Sequence, residues 1–197
     1  MKSDHNFRNY ILSRIILTAN YAAIPLYAIH AHDKLDFHIS EAGIFTALMV
    51  VASGFSSFLA GKIGDRFGHK HAMVISFLAY LGALIAALLA ETLWHVYLIF
   101  IFMGVGKGGF ITSAMSLVYE FAGDNDKKIY FALIDSLTAP FVLVAILLSG
   151  FFISTGSIPP VLTVIGFILI AGILALIFLT KEPRTLREVP IPREPQP

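Results

Sequence analysis

The chain has 197 residues, of which 57% are hydrophobic and 14% charged, with a formal net charge of +1 and no cysteine. A soluble domain carries about a quarter charged residues, so this composition excludes an ordinary soluble fold. The missing cysteines exclude disulfides and thiolate metal sites, and the net charge says nothing of nucleic acid.

A helix needs about 20 mainly apolar residues to cross the ~30 Å hydrocarbon layer. Six stretches qualify, at roughly Asn9–Ala31, Glu41–Gly61, Ala72–Ala90, His95–Tyr119, Ile129–Ile153 and Pro160–Thr180. They are too long, and alternate too little, for barrel strands. The first carries Arg14 and Asn20 in its body and is followed by no small-x-small cleavage site, so it reads as a retained span rather than a signal peptide. Along the second, Gly43, Ala47, Val50, Gly54, Ser57 and Gly61 recur at steps of four and three, a small-residue face that permits close helix contact. It runs into GKIGDRFGHKHA, residues 61–72, which reads as a polar loop. The fourth contains GVGKGGF, where the glycines predict close packing or a local break. The fifth carries Asp135 and Pro140, and the sixth is followed by the basic, proline-rich KEPRTLREVPIPREPQP, an extended solvated tail.

Lysines and arginines in short loops orient such a chain, acids contributing little. Lys2, Arg8, Lys62, Arg66, Lys70, Lys127, Lys128, Lys181, Arg184, Arg187 and Arg193 fall on one side, and Lys34 stands alone on the other. Both termini are therefore expected in the cytoplasm. The division is a cytoplasmic segment at 1–8, a six-helix transmembrane domain at 9–180 and a cytoplasmic tail at 181–197.

GKIGDRFGHKHA resembles the loop signature of the major facilitator superfamily, broadly G-x-x-x-D-R-x-G-R-[RK]. Gly61, Asp65, Arg66, Gly68 and Lys70 fill the pattern, while His69 stands where the family usually has arginine. The position, between the second and third spans of six, is the one the signature occupies in a six-helix half. The first-half Gly-Pro-x-x-Gly-Gly run is absent, only Ala139-Pro140 being similar to it, and the arginine that first halves often carry early in helix 4 is missing. A C-terminal-type half is therefore favoured, with the resemblance covering about Asn9 to Arg184. It implies a conformational latch between two halves in the outward-open state. Gly61 and Gly68 would allow close approach and a tight turn. Asp65 would sit near the positive end of a neighbouring helix, and Arg66 would hold an acid, with Glu120 its natural partner within the half.

Ionisable groups inside a membrane are costly, so each is a functional candidate. Arg14 and Asp135 lie at similar depths and are expected to pair. Arg14, Thr18, Tyr21 and Pro25 share a helical face suited to a cavity, and Lys107 lies near the middle of its span. Arg14, Thr18, Lys107 and Asp135 are thus the candidate cavity or coupling residues. For Asp135 a static ion pair is favoured over proton coupling, and for Lys107 contact with substrate or an anion over a structural pair. His30 and His32 of HAHD, with His38 beyond, are two apart in a helix and would point away from each other, so no metal is expected.

No nucleophile motif, phosphate loop or nucleic-acid surface is present, so neither an enzyme, a cofactor nor a nucleic-acid partner is expected. The fold expected is all-α integral membrane, with six transmembrane helices and both termini cytoplasmic, one six-helix half of a major facilitator superfamily fold. The expected function is transport of a small solute by alternating access, as a half-transporter or a fragment of a secondary-active transporter. The alternative is a non-transporting membrane sensor or scaffold. The expected partners are membrane lipid, an unidentified small substrate and a second six-helix half, as a homodimer or a separate chain. The cell membrane, with a bacterial inner membrane favoured, is the expected location.

Overall fold

Long apolar runs leave the backbone no hydrogen-bond partner in lipid but itself, so they take helical form. The computed structural model describes residues 2–35, 39–123, 126–155 and 158–184. Seven α-helices occur there: α1 Lys2–Leu17, α2 Asn20–Leu35, α3 Ile39–Phe67, α4 His69–Leu88, α5 Leu93–Ala122, α6 Lys127–Thr155 and α7 Ile158–Leu179. Among the described residues, six spans are long and apolar enough to cross a membrane. The first, His5–Leu35, joins α1 and α2, and α3 to α7 supply one each.

Three local expectations change. First, span one is interrupted. The N–H groups of Ala19, Tyr21 and Ala22 donate to carbonyls three residues back, those of Ile16, Thr18 and Ala19, rather than four. Pro25, inside α2, also has no N–H to give its i−4 carbonyl. Second, the expected loop at 61–72 is helix on both sides of one residue. Gly68 alone separates α3 from α4, at φ 99° and ψ 144°, a conformation essentially reserved for glycine. Third, GVGKGGF forms no break, because α5 runs through it.

The α5 glycines are packing residues. Gly104 and Gly108 lie against the backbone carbonyls of Met49 and Ser53 on α3, while Gly106 meets the Tyr80 ring and Gly109 the Ser76 side chain on α4. Ser56 and Ser57 add hydrogen bonds from α3 to the carbonyls of Val105 and Gly108, at 2.6 and 3.1 Å. These contacts fix α5 between α3 and α4, its principal neighbours. The aromatic rings of Phe7, Tyr10, Phe121 and Tyr130 join α1, α5 and α6.

The small-residue stripe of α3 is not used this way. A Cβ on Gly43, Gly54 or Gly61 would meet nothing within 4 Å, and Val50 between them is 61% exposed. Of the stripe, Ser57 reaches α5. Only 11% of the apolar window of α3 and 17% of that of α6 is buried, against 56% for α4. The bundle therefore leaves α3 and α6 largely open.

Candidate functional site

Charged residues fall in two places, the end of the bundle that carries Asp65 and Glu120, and within the spans. At the end, the α3–α4 turn is tied to the end of α7. Glu182, 8% exposed, accepts a 3.0 Å hydrogen bond from the Lys70 backbone N–H and lies directly over Gly68. An acid at the start of α4 satisfies an N–H that has no partner within the helix and faces the positive end of the helix dipole. Lys70 answers in the other direction, its Nζ donating to the carbonyls of Ile177 and Thr180 at 2.7 and 2.6 Å. These are carbonyls at the end of α7, where a cation is favoured. Asn6 adds a reciprocal pair, donating to the Lys181 carbonyl at 2.8 Å and accepting from its N–H at 2.7 Å. Arg184 donates to the Asp65 carbonyl at 2.8 Å, so each element at this end closes the terminus of another.

His69 occupies the position where arginine was expected. Its ring lies on Gly64, with Nε2 3.8 Å from Asp65 and 3.9 Å from Glu120. The expected Arg66–Glu120 pair is not made. The Arg66 guanidinium is exposed and lies 5.2 Å from the Phe67 ring centroid, while Glu120 faces His69. Asp65 is not the acid at the start of α4, because Glu182 holds that place. The Asp65 side chain is 83% exposed, and Gly61 faces open space.

Within the spans the Arg14–Asp135 pair is likewise not formed. The Arg14 guanidinium sits 4.4 Å from the Phe110 ring centroid, an attraction between a cation and the face of a π system. Asp135 is exposed on α6. Arg14, Thr18, Asn20 and Tyr21 line a cavity of about 20 Å³ walled by Leu17, Phe77, Tyr80 and Phe110. Pro25 is not among the residues that line it. Thr18 is buried and donates to the Ile15 carbonyl at 2.6 Å. Lys107 is exposed and stands three residues before Phe110, hence on the same side of α5. Within α2, His30 is buried and His32 exposed, and His38 lies outside the described residues.

This six-span bundle, with its glycine turn after the second span, has a counterpart among known proteins. A family model described as Major Facilitator Superfamily matches residues 10–197. The chain belongs to that superfamily. It is an integral membrane protein of a family of transporters rather than enzymes. Major facilitator similarity extends to a curated protein of Bacillus subtilis (strain 168), the "Uncharacterized MFS-type transporter YhjO", at 21% identity over 113 residues. That alignment covers 57% of this chain and 28% of the Bacillus protein, so the match spans less than a third of the relative's length.

Some of the site is not readable from the sequence. Lys70 and Glu182 are 112 residues apart, and no local spacing rule joins them. Thr180 to Arg184, TKEPR, places an acid just past a span, which is the one available hint. His69 is visible as a departure from the signature, but its position between two acids is not.

Proposed function

We propose that the chain is one six-helix half of a secondary transporter working by alternating access. Its open face, formed by α3 and α6, takes a second six-helix unit, either another copy or a separate chain. A small solute is held between the two units near the middle of the membrane. The single observation that supports this reading best is the low burial of α3 and α6, the two least buried spans. Exposed Asp135 lies on α6 and exposed Lys107 on α5, the principal neighbour of α3, and ionisable groups within a span are disfavoured against lipid.

On this reading both termini are cytoplasmic and the protein resides in the cell membrane, in a bacterial inner membrane. The latch residues divide into two groups. Gly68 and Lys70 are engaged within the half, with Glu182, and set the angle of the α3–α4 turn. Asp65 and Arg66 are exposed and reach the second unit, whose displacement opens the cytoplasmic side. Gly61 lets that unit approach α3, and Glu120 holds His69 beside Asp65. Arg14, Thr18, Lys107 and Asp135 line or brace the solute path.

The experiment uses single cysteines in this cysteine-free chain. Ile111, 45% exposed and four residues from Lys107, is changed to Cys. It is labelled with an impermeant maleimide in right-side-out and in inside-out vesicles. Labelling from both sides is expected, with no labelling at Phe167→Cys on lipid-facing α7. A scaffold without alternating access would leave Ile111→Cys unlabelled, or labelled from one side only, and that result would refute the proposal.

A further inference from the structure

The interruption of the first span lies beside a cation that no carboxylate among the described residues accompanies. The buried Tyr10 hydroxyl, one turn back, lies within electrostatic reach of Arg14, but Arg14 Nη1 is buried without a hydrogen bond, and no carboxylate pairs with Arg14 among the described residues. The Phe110 ring offers the guanidinium no lone pair, so this contact leaves N–H donors over for another group. Asn20, at the start of α2 and 4% exposed, has a buried Oδ1 that is also unpartnered. The oxygen and nitrogen of such an amide exchange by a flip of the side chain, so it can present either a donor or an acceptor. Both residues line the same small cavity.

A guanidinium inside a membrane is costly, and its fork matches the two oxygens of a carboxylate. The cavity of about 20 Å³ exceeds the roughly 10–15 Å³ that one water needs. It has room for about one water, the place one carboxylate oxygen takes on displacing it, while the rest of the solute lies outside, past Tyr21, which is 37% exposed. We infer that this interruption is the docking point for the carboxylate of a small organic acid. Arg14 binds the charge, Asn20 supplies a further hydrogen bond, and the aromatic walls hold the apolar body. The inference rests on the transport reading above, because it requires a cavity open to water.

Tyr21→Cys places a unique thiol at the cavity without removing Arg14 or Asn20. In nanodiscs it is reacted with two methanethiosulfonate reagents, one ending in a sulfonate and the other in a quaternary ammonium. A buried positive charge accelerates the anionic reagent and retards the cationic one. The expected result is that adding Arg14→Gln lowers the anionic-to-cationic rate ratio about tenfold, while Arg14→Lys, which keeps the charge, retains most of it. Benzoate, but not neutral benzamide, is expected to slow labelling severalfold, and Arg14→Gln to abolish that protection. Reaction of both reagents at a ratio that Arg14→Gln leaves unchanged, or equal protection by benzoate and benzamide, overturns the anion site and leaves the water-filled cavity standing. If neither reagent reaches the thiol in any background, the transport reading fails and this inference with it.

Discussion

On α5, Gly104 and Gly108 bring the helix so close to α3 that a methyl group at either would overlap the Met49 or Ser53 carbonyl. On α3, Gly43, Gly54 and Gly61 face open space. Both sets are small residues at helical spacing in an apolar span, and both suit close packing in lipid. One set is used inside the bundle, while the other remains on a face that none of the described residues covers. A small-residue stripe thus marks a surface able to pack closely without saying against what. The glycine and charge chemistry of the α3–α4 turn divides in the same way, with Lys70 held by the half and Asp65 turned outward.

Substitutions separate the two kinds of glycine, and the largest effect is expected inside. Gly108→Val sets side-chain atoms against backbone that cannot move aside without parting α3 from α5. It should cost about 3 kcal/mol, read as a lower midpoint of unfolding in mixed micelles. Gly68→Ala comes next, at about 2 kcal/mol, because the positive φ strains any side chain and the new methyl group displaces Glu182. Lys70→Met removes the two hydrogen bonds to the end of α7 and should cost about 1 kcal/mol, discounted because the Lys70–Ile177 bond is solvent-exposed. Gly54→Leu should shift stability by no more than about 0.5 kcal/mol and yet block the approach of a second unit. A loss of stability at Gly54 equal to that at Gly108 would erase the distinction. Asp65→Asn has the smallest expected effect on folding. It should leave the unfolding midpoint unchanged but shift Ile111→Cys labelling toward the cytoplasmic side, because the exposed carboxylate would contribute only to the latch.

The six spans were legible because each is a long apolar run bounded by charge, and the helices differ mainly at their ends. The second span was expected to stop at Gly61, but α3 continues to Phe67. At 29 residues and 1.5 Å per residue it exceeds the ~30 Å hydrocarbon layer by about 13 Å, so polar residues ride on its projecting end. The glycine turn was marked by Gly68 itself. Arg14 was identifiable as a charge out of place, but its neighbour was not, since the partner proved to be the Phe110 ring rather than Asp135. Opposite charges at equal depth invite pairing only when their helix faces meet. Glu182 escaped because long-range hydrogen bonds between spans leave no periodic trace in one sequence.

The central claim is that the open face of α3 is a protein contact and the outer face of α7 a lipid contact. The most direct measurement is photocrosslinking in native membranes. A benzophenone amino acid is placed at Val50 on α3 or at Phe167 on α7, which are 61% and 70% exposed, and the adducts are identified by mass spectrometry. The account predicts that position 50 yields adducts with a six-helix unit, a copy of this chain or another superfamily half, and that position 167 yields lipid adducts. Lipid adducts at both positions would contradict it.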